Sequence, residues 1–250
     1  MRTPLSDATR RGRLLSRREA LAFIGMPVAA LLSGLAPRPT CAQAAAAGPR
    51  PSCVARPEQT EGPFFVEEAL NRSDIRSDPR NGEVKAGVPL RVAFNVSRLS
   101  GTNCAPLAGA QVDVWHSDAT GRYSDVAGFG IRSSTSGQQF LRGYQLTDTT
   151  GSAQFLTIFP GWYGGRAVHL HFKIRSARGT VPGYAFTSQL YFDDAVTERV
   201  FAMEPYASRG RRWMRNDDDG IFRDGGKGLL LAAVPDGPGY AASFDIGLQV

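Results

Sequence analysis

Two of the three histidines in this 250-residue chain stand one residue apart, in the stretch PGWYGGRAVHLHFKIR at residues 160–175. On a β-strand, residues two apart project to the same face, so His169 and His171 would point together while Leu170 and Phe172 face the other way. A divalent or trivalent metal ion binds two adjacent imidazoles as neutral ligands, which avoids the repulsion between their protonated forms. A pair of surface histidines is the alternative, and this spacing alone does not decide between them.

Two tyrosines precede the histidines and could contribute oxygen ligands. Tyr163 lies six residues before His169, in the Gly-rich turn PGWYGGR, which could fold back towards the imidazoles. Tyr123 lies in SDATGRYSD, a turn that follows a predicted strand. A phenol with a pKa of about 10 ionises at neutral pH only beside a strongly Lewis-acidic ion. Otherwise each tyrosine is a core aromatic residue with a solvated hydroxyl group.

Five short motifs contain or flank these residues. They are QTEGPFF (59–65), GRY (121–123), PGWY (160–163), R-x-x-H-x-H (166–171) and QLYF (189–192). Together they resemble the non-haem iron(III) intradiol dioxygenases, the family of the catechol and protocatechuate dioxygenases, over roughly Glu58 to Asp193. The resemblance implies a resident iron(III) ion with four protein ligands, Tyr123, Tyr163, His169 and His171. The resemblance also implies that Arg166 and Gln189 line the pocket. Within the family, the chain is most similar to the exported, single-chain branch.

The resemblance further implies a reaction. A catechol-type aromatic would bind as a dianion in place of Tyr163, and O2 would attack it so that the ring opens between the two oxygen-bearing carbons. Both oxygen atoms would enter a muconate-type dicarboxylate, as in the catabolism of aromatic compounds. Tyr163 would accept a substrate proton as general base, and Arg166 would stabilise negative charge on the ring. Phenolate is a hard oxygen ligand, which suits the hard ferric ion.

Two other functions are compatible with the same residues. One is a non-catalytic β-sandwich binding module of the periplasm, in which the histidine pair is incidental or holds a structural metal. The other is a zinc- or copper-dependent enzyme that uses His116 as a third imidazole. The acidic run NDDDG at residues 216–220 lacks the alternation and terminal Glu of an EF-hand, so we interpret it as a solvated turn.

Period-two hydrophobic patterns predict the strands that would position these residues. The alternation marks PLRVAFNVS, AQVDVWH, AQFLTIF, HLHFKIR, SQLYF and SFDIGLQV, which we expect to be half-buried, and a short helix is predicted near Ala195 in AVTERVFAM. We therefore expect a mainly β chain, with an antiparallel two-sheet β-sandwich and long loops at residues 89–250. An extended arm at residues 45–88, rich in Pro, Gly and charged residues, would run over its surface.

Residues 1–44 have the features of a twin-arginine signal peptide. A basic stretch ends in Ser16-Arg17-Arg18, a 17-residue apolar run follows at residues 20–36, and Ala42-Gln43-Ala44 resembles a cleavage site. The apolar run is shorter than the ~20 residues of a membrane-spanning helix. We therefore expect export to the periplasm or the cell exterior, and no membrane span in the mature protein.

Export would remove most of the net charge of the chain. Residues 1–44 contain seven of the 29 Lys and Arg and two of the 23 Asp and Glu, which leaves 22 basic and 21 acidic residues. A mature chain so nearly neutral gives no sign of a nucleic-acid partner. It would keep Cys53 and Cys104, which we expect to form a disulfide in an oxidising compartment, two free thiols being the alternative.

Overall fold

The described part of the chain contains ten β-strands in two sheets that face each other. The computed structural model describes residues 54–101, 103–127, 134–177, 179–180 and 183–250. Within them the strands are β1 (Pro89–Ser100), β2 (Asn103–Pro106), β3 (Gln111–Trp115), β4 (Arg142–Leu146), β5 (Ser152–Ile158), β6 (His169–Arg175), β7 (Ala185–Phe192), β8 (Leu230–Leu231), β9 (Val234–Asp236) and β10 (Gly239–Leu248). The stretch between β7 and β8 carries the helices α1 (Asp194–Phe201) and α2 (Gly220–Arg223), and short 3-10 turns at Ala207–Arg209, Asn216–Asp218 and Gly226–Leu229.

The first sheet is built around β1. Strand β10 runs parallel along one edge of β1, while β5 and β2 pair antiparallel with successive parts of its other edge. Strand β9 extends this sheet beyond β10. The second sheet has the order β4-β3-β6-β7-β8, in which β7 and β8 are the parallel neighbours.

The predicted two-sheet sandwich is confirmed, and six of the eight strand pairings in the described residues are antiparallel, while β1 with β10 and β7 with β8 run parallel. The parallel pair β1 and β10 joins the first strand of the sandwich to the last, and the whole second sheet lies between them in sequence. Parallel neighbours need a long connection of this kind, whereas antiparallel neighbours can be joined by a hairpin. Hydrophobic periodicity reports which face of a strand is buried, not the direction of its neighbour, and it therefore could not reveal these pairings.

The core lies between the two sheets. In β1 the alternating residues Leu90, Val92, Phe94 and Val96 are buried, as the sequence pattern predicts. The ring of Phe94 lies 5.3 Å from that of Phe172 in β6, centroid to centroid, so the two sheets share one core. Each fully buried side chain of this size contributes about 1.5–3 kcal/mol to the free energy of unfolding.

Strand β3 departs from the expected half-buried pattern because all five of its residues are buried. The polar residues Gln111 and Asp113 face away from the core, where Arg175 of β6 covers them. The Arg175 guanidinium donates to Asp113 Oδ2 at 2.8 Å, and Gln111 Nε2 donates to Asp113 Oδ1 at 2.9 Å. The polar face of β3 is thus covered by a hydrogen-bonded ion pair, which period-two alternation cannot foresee.

Helix α1 confirms the helix predicted near Ala195. Its N-cap is Asp193, whose carboxylate accepts hydrogen bonds from the backbone N–H groups of Ala195 and Val196. Val196 and Val200 are the buried apolar side chains of the helix, and they join the core. None of the helices in the described residues is long and apolar enough to cross a membrane.

The described part of the N-terminal arm, residues 54–88, contains isolated β-bridges but is not confined to the surface. Ile75 is fully buried, its N–H donates to the carbonyl of Leu156, and its own carbonyl accepts from the N–H of Leu141. The expectation of an arm that merely runs over the surface is therefore wrong at this point. The arm contributes a buried apolar side chain to the sandwich, which its Pro- and Gly-rich composition does not suggest.

The predicted signal peptide and Cys53 lie outside the described residues. Cys104, in β2, is disulfide-bonded. Its pairing with Cys53 stays a prediction.

Candidate active site

The two neighbouring histidines occupy the start of β6. Leu170 and Phe172 project into the core and are fully buried, whereas His169 and His171 project together from the opposite face. The imidazoles are nevertheless only 2% and 1% exposed, and their Nε2 atoms lie 3.1 Å apart. The strand therefore presents two ring nitrogens to one enclosed point, as the spacing predicts.

A backbone hydrogen bond fixes the tautomer of His169. Its Nδ1 lies 2.7 Å from the carbonyl oxygen of Ala167, so Nδ1 carries the proton and donates, and Nε2 keeps a lone pair. Burial, followed by the positive charge of Arg166, lowers the pKa of His169 well below its ordinary value. Burial, followed by the neighbouring His169, does the same to the pKa of His171. Both rings are consequently neutral at pH 7.

Both tyrosine hydroxyls reach the same point. Tyr163 Oη lies 3.0 Å and Tyr123 Oη 3.5 Å from His169 Nε2. Phe64 of the arm stacks on Tyr123, with 4.4 Å between the ring centroids. Burial raises the pKa of both phenols; the neighbouring Tyr163 raises that of Tyr123 further, whereas Arg166 partly lowers that of Tyr163. Ionised phenols at this position would therefore require an additional positive charge.

The chemistry of these four side chains fits a ferric ion. Two neutral imidazoles supply lone pairs, and two phenols supply hard oxygen atoms whose negative charge would offset part of a trivalent charge. Gly62 lies against the ring of His171, and a Cβ atom at this position would lie only 3.3 Å from Cε1 of that ring. The φ of Gly62, +70°, also favours glycine. The structure thus brings together the residues that the sequence predicts as ligands: Tyr123, Tyr163, His169 and His171.

Arg166 lies beside this group and is held in place by other side chains. Its Nε donates to Asp219 Oδ2 at 2.9 Å, and its Nη2 donates to Gln189 Oε1 at 2.5 Å and to Tyr191 Oη at 3.3 Å. Its Nη1 lies 3.5 Å from His169 Nε2. Burial alone would lower the pKa of Arg166, but the neighbouring Tyr163 and Asp219 raise it overall. A fixed, permanently charged guanidinium therefore borders the site.

Asp219 corrects the interpretation of NDDDG as a solvated turn. Only 2% of Asp219 is exposed, and its carboxylate accepts hydrogen bonds from Arg166, from the N–H of Ala167 and from the N–H of Ile221. Asn216 is also buried, whereas Asp217 and Asp218 are exposed. Only part of NDDDG is therefore solvated. One sequence signal could have marked Asp219, since an acidic residue directly before a short helix is a common N-cap, here that of α2.

Comparison with known proteins assigns the family. A family model described as "Dioxygenase" matches residues 60–207, more than half of the chain. The chain belongs to the intradiol ring-cleavage dioxygenase family. Members of this family use non-haem iron(III) and act on catechol-type substrates with O2.

Solved structures of this family have the same fold. The intradiol ring-cleavage dioxygenase from Tetranychus urticae is 31% identical, with a TM-score of 0.67 over 79% of this chain and 95% of that one. The dioxygenase domain of a carbohydrate-binding fusion protein from Streptomyces sp. SirexAA-E is 29% identical, with a TM-score of 0.55 over 79% of this chain and 99% of that one.

Curated relatives match a shorter region. Catechol 1,2-dioxygenase 1 of Acinetobacter lwoffii is 29% identical over 138 residues, which are 48% of this chain and 42% of the relative. Chlorocatechol 1,2-dioxygenase of Rhodococcus opacus is 30% identical over 156 residues, 53% of this chain and 54% of the relative. The chain spans about half the length of the curated relatives it matches.

The N-terminal arm supports Gln189, one of the residues that hold Arg166. Gln189 is fully buried in β7, and its Nε2 donates to the carbonyl of Thr60 at 2.9 Å. Tyr191 Oη, two residues along the strand, donates to Gln59 Oε1 at 2.9 Å. Gln189 was predicted as a pocket residue, and it contacts Arg166. No pattern in the sequence indicates the supporting roles of Gln59 and Thr60.

Arg142 is a second positioning residue that the sequence did not single out. It is buried at the start of β4, its Nε donates to Ser124 Oγ at 2.7 Å, and a guanidinium N–H also binds the Ser124 carbonyl. A further N–H lies 3.3 Å from the carbonyl of Phe64. Arg142 thereby connects the loop that carries Tyr123 to the N-terminal arm, whose Phe64 stacks on Tyr123.

Neither ring nitrogen of His116 is free to bind a metal ion beside the histidine pair. Its Nε2 lies 2.7 Å from Thr157 Oγ1 and its Nδ1 2.8 Å from the carbonyl of Ser117, so both ring nitrogens are already engaged. Burial lowers its pKa to about 4. This arrangement argues against the zinc or copper alternative, which requires His116 as a third ligand.

Proposed function

We propose that the chain is a non-haem iron(III)-dependent intradiol dioxygenase, which opens the ring of a catechol-type aromatic with O2 to a muconate-type dicarboxylate. The observation that carries the proposal is the convergence of four donor side chains beside the Arg166 guanidinium: Tyr123, Tyr163, His169 and His171. Two matched relatives bear the names catechol and chlorocatechol 1,2-dioxygenase, which supports this substrate class.

The two tyrosines and two histidines are the residues that would hold the iron. When bound, iron(III) would supply the Lewis acidity that lets an aromatic diol react with O2. The carbonyl of Ala167 orients the His169 ring in advance, because its hydrogen bond with Nδ1 leaves Nε2 facing the other donors. The stacked indole of Trp115, 5.1 Å from the His171 ring and 6° from parallel, restricts that ring in the same way.

The two tyrosines differ in access, and this difference supports different roles for them. Tyr123 is only 4% exposed and lies under Phe64, whereas Tyr163 is half-buried. A diol that enters from solvent therefore meets the Tyr163 hydroxyl first. As a phenolate, Tyr163 would accept the proton of a substrate hydroxyl, while Tyr123 would stay in place.

Arg166 would stabilise the negative charge of the substrate. Asp219 and Gln189 hold its guanidinium, so the charge does not have to be reoriented during the reaction. A fixed donor of this kind typically changes turnover by about 10²–10³-fold. The arm closes the site at Gly62 and Phe64, which lie against His171 and Tyr123 and limit the access of water.

Metal analysis and oxygen uptake test this proposal. We expect about one iron per chain and a red-brown colour from phenolate-to-iron charge transfer. We also expect O2 consumption with catechol and a ring-opened dicarboxylate as product. Zinc or no metal in freshly expressed, folded protein would contradict the proposal, and so would iron-loaded protein that consumes no O2 with simple catechols.

We also propose that residues 1–44 direct export by the twin-arginine route. The Ser16-Arg17-Arg18 sequence and the disulfide at Cys104, a bond typical of oxidising compartments, support this localisation. The parent should be recovered from the periplasmic fraction with an N-terminus near residue 45. Replacing both Arg17 and Arg18 with Lys should retain it in the cytoplasm, and an unchanged distribution would refute the proposal.

A further inference from the structure

Trp213 is an unusually exposed aromatic side chain near the candidate active site. It is 72% exposed, more than any other large apolar side chain in the described part of the chain. Tryptophan is large and seldom so exposed, because burying its ring is strongly favourable. Trp213 lies beyond residues 60–207, the region that the family model matches.

The backbone around Trp213 is anchored, so the exposed ring has a defined position. Residues 211–215 form no regular secondary structure, and their burial alternates, with Arg211 and Trp213 facing solvent and Arg212 facing the protein. The Arg212 guanidinium lies 2.7 Å from Asp194 Oδ1 and 3.0 Å from Glu198 Oε1, both carboxylates of α1. An inward ion pair therefore holds the residue next to Trp213.

The chain on both sides of this segment contacts residues that flank Tyr163. On one side the guanidinium of Arg209 lies 4.6 Å above the ring of Trp162, the residue before Tyr163. On the other side Asp219 binds Arg166, three residues after Tyr163. The segment therefore lies close to the chain around Tyr163.

Glycine backbone separates Tyr163 from Trp213. Gly164 and Gly165 are both exposed. A Cβ placed on Gly164 would lie 3.4 Å from Cζ2 of Trp213, and one on Gly165 would meet no atom within 4 Å. The surface between the half-buried phenol and the exposed indole is consequently flat and without side chains, which leaves room for a planar group that extends out of the site.

The charges around Trp213 favour an uncharged planar group. Trp213 lines a groove of about 410 Å³ with Arg211, Arg212, Arg215 and Asp218. Glu198 pairs with both Arg212 and Arg215, and Asp194 also pairs with Arg212. With Asp218 in the groove itself, three carboxylates offset the three guanidinium groups. An uncharged aromatic ring interacts favourably with an indole on which it stacks and with a nearby guanidinium. Neither interaction requires a net positive or negative charge around the ring.

We propose that Trp213 forms a subsite for a second aromatic ring, so that the substrates of this chain are catechols that carry an aryl substituent. This inference rests on the function proposed above, since the catechol end must reach Tyr163. The aryl ring crosses the backbone of Gly164 and stacks on the Trp213 indole. A pair of aromatic rings increases affinity by about 3- to 10-fold beyond simple burial.

Relative rates with two substrates test the subsite. The parent should cleave 3,4-dihydroxybiphenyl with a kcat/KM several-fold above that for catechol. Trp213→Ala should lose this preference with little change for catechol, and Trp213→Phe should recover part of it because a ring is restored. Val234→Ala is the matched control, since Val234 is 58% exposed and stands on β9 of the other sheet; it should behave as the parent.

An anaerobic calorimetric titration of the iron-loaded protein keeps the subsite testable if turnover is absent. The biaryl should bind more tightly than catechol to the parent, and equally with catechol to Trp213→Ala. Cleavage of catechol together with an unchanged biaryl preference in Trp213→Ala would overturn the subsite and leave the proposed function standing. Absence of ring cleavage with a Trp213-dependent biaryl affinity would overturn the function and leave the binding site.

Discussion

The strand-borne and loop-borne halves of the candidate site are held in different ways. The histidines stand on β6, where the ladder places Trp115 of β3 opposite His171 and Tyr191 of β7 opposite His169. His171 is paired with strands on both sides and His169 with β7, so no single side chain decides their positions. Tyr163 and the other loop residues have no such ladder.

In the loops, single buried polar groups take the place of the ladder. Arg142 binds the residue that follows Tyr123, and Asp219 binds Arg166 together with the N–H of Ala167. Each of these groups is buried and hydrogen-bonded, so removing one leaves its partners unsatisfied in a site of low dielectric constant. We infer that the strand half would set where the proposed metal site lies, and that the loop half would set how well it works.

The largest effect is expected from the strand half. His171→Ala and His169→Ala should each reduce the iron content at least tenfold and abolish activity, because each removes a buried nitrogen donor that solvent cannot easily replace. Metal analysis of the purified variants measures this. The matched control is His116→Gln, which should keep its iron since both ring nitrogens of His116 are bound elsewhere. Full iron and colour in His171→Ala would refute the assignment of the histidines.

A smaller effect is expected from the exchangeable ligand in the loop half. Tyr163→Phe should keep most of its iron, because water can reach this half-exposed position. It should lose much of the visible absorption and about 100-fold in turnover, since no phenolate is left to accept the substrate proton. Visible spectra and oxygen uptake measure both effects. Tyr123→Phe provides the contrast, and equal behaviour of the two variants would show that access does not divide their roles.

A third prediction concerns the buried carboxylate that orients Arg166. Asp219→Asn keeps the shape of the side chain but removes its charge, so Arg166 should become mobile. Turnover should fall about 10- to 100-fold, with iron content and colour unchanged, and the effect should appear in kcat more than in KM. Asp218→Asn, on the exposed neighbour, is the control and should match the parent. A loss of iron in Asp219→Asn would show that the role of Asp219 is merely structural.

The same division explains what could be predicted from the sequence. The period-two pattern of HLHFKIR was enough to place His169 and His171 on one face, because a strand alternates by geometry alone. The Gly-rich turn suggests that Tyr163 could fold back towards them, whereas Tyr123 could be connected to them only through the resemblance to a known family. The sequence separates Tyr123 from His169 by 46 residues, and local pattern contains no information on how loops fold back.

The supporting residues were beyond the reach of sequence patterns for a related reason. Asp219 stands in a run of three aspartates, of which it alone is buried. Arg142 stands at the start of a strand with no hydrophobic alternation, in RGYQL. Their roles depend on partners far along the chain, such as Phe64 and Arg166, so tertiary structure is needed to recognise them.

The smallest effect near neutral pH is expected from His116, which is buried but lies outside both halves of the site. Its pKa is about 4 in the folded protein against an ordinary value of 6.5, because burial disfavours the charged ring. Above pH 6.5 it is neutral in both folded and unfolded chains and has no effect on stability. As the pH falls from 6.5 to 4, the unfolded chain takes up the proton first, so the free energy of unfolding decreases by up to about 3 kcal/mol. Between pH 7.5 and pH 5, urea unfolding should show a decrease in the free energy of unfolding that is about 2 kcal/mol larger in the parent than in His116→Gln. Equal decreases would show that protonation of His116 does not destabilise the folded protein.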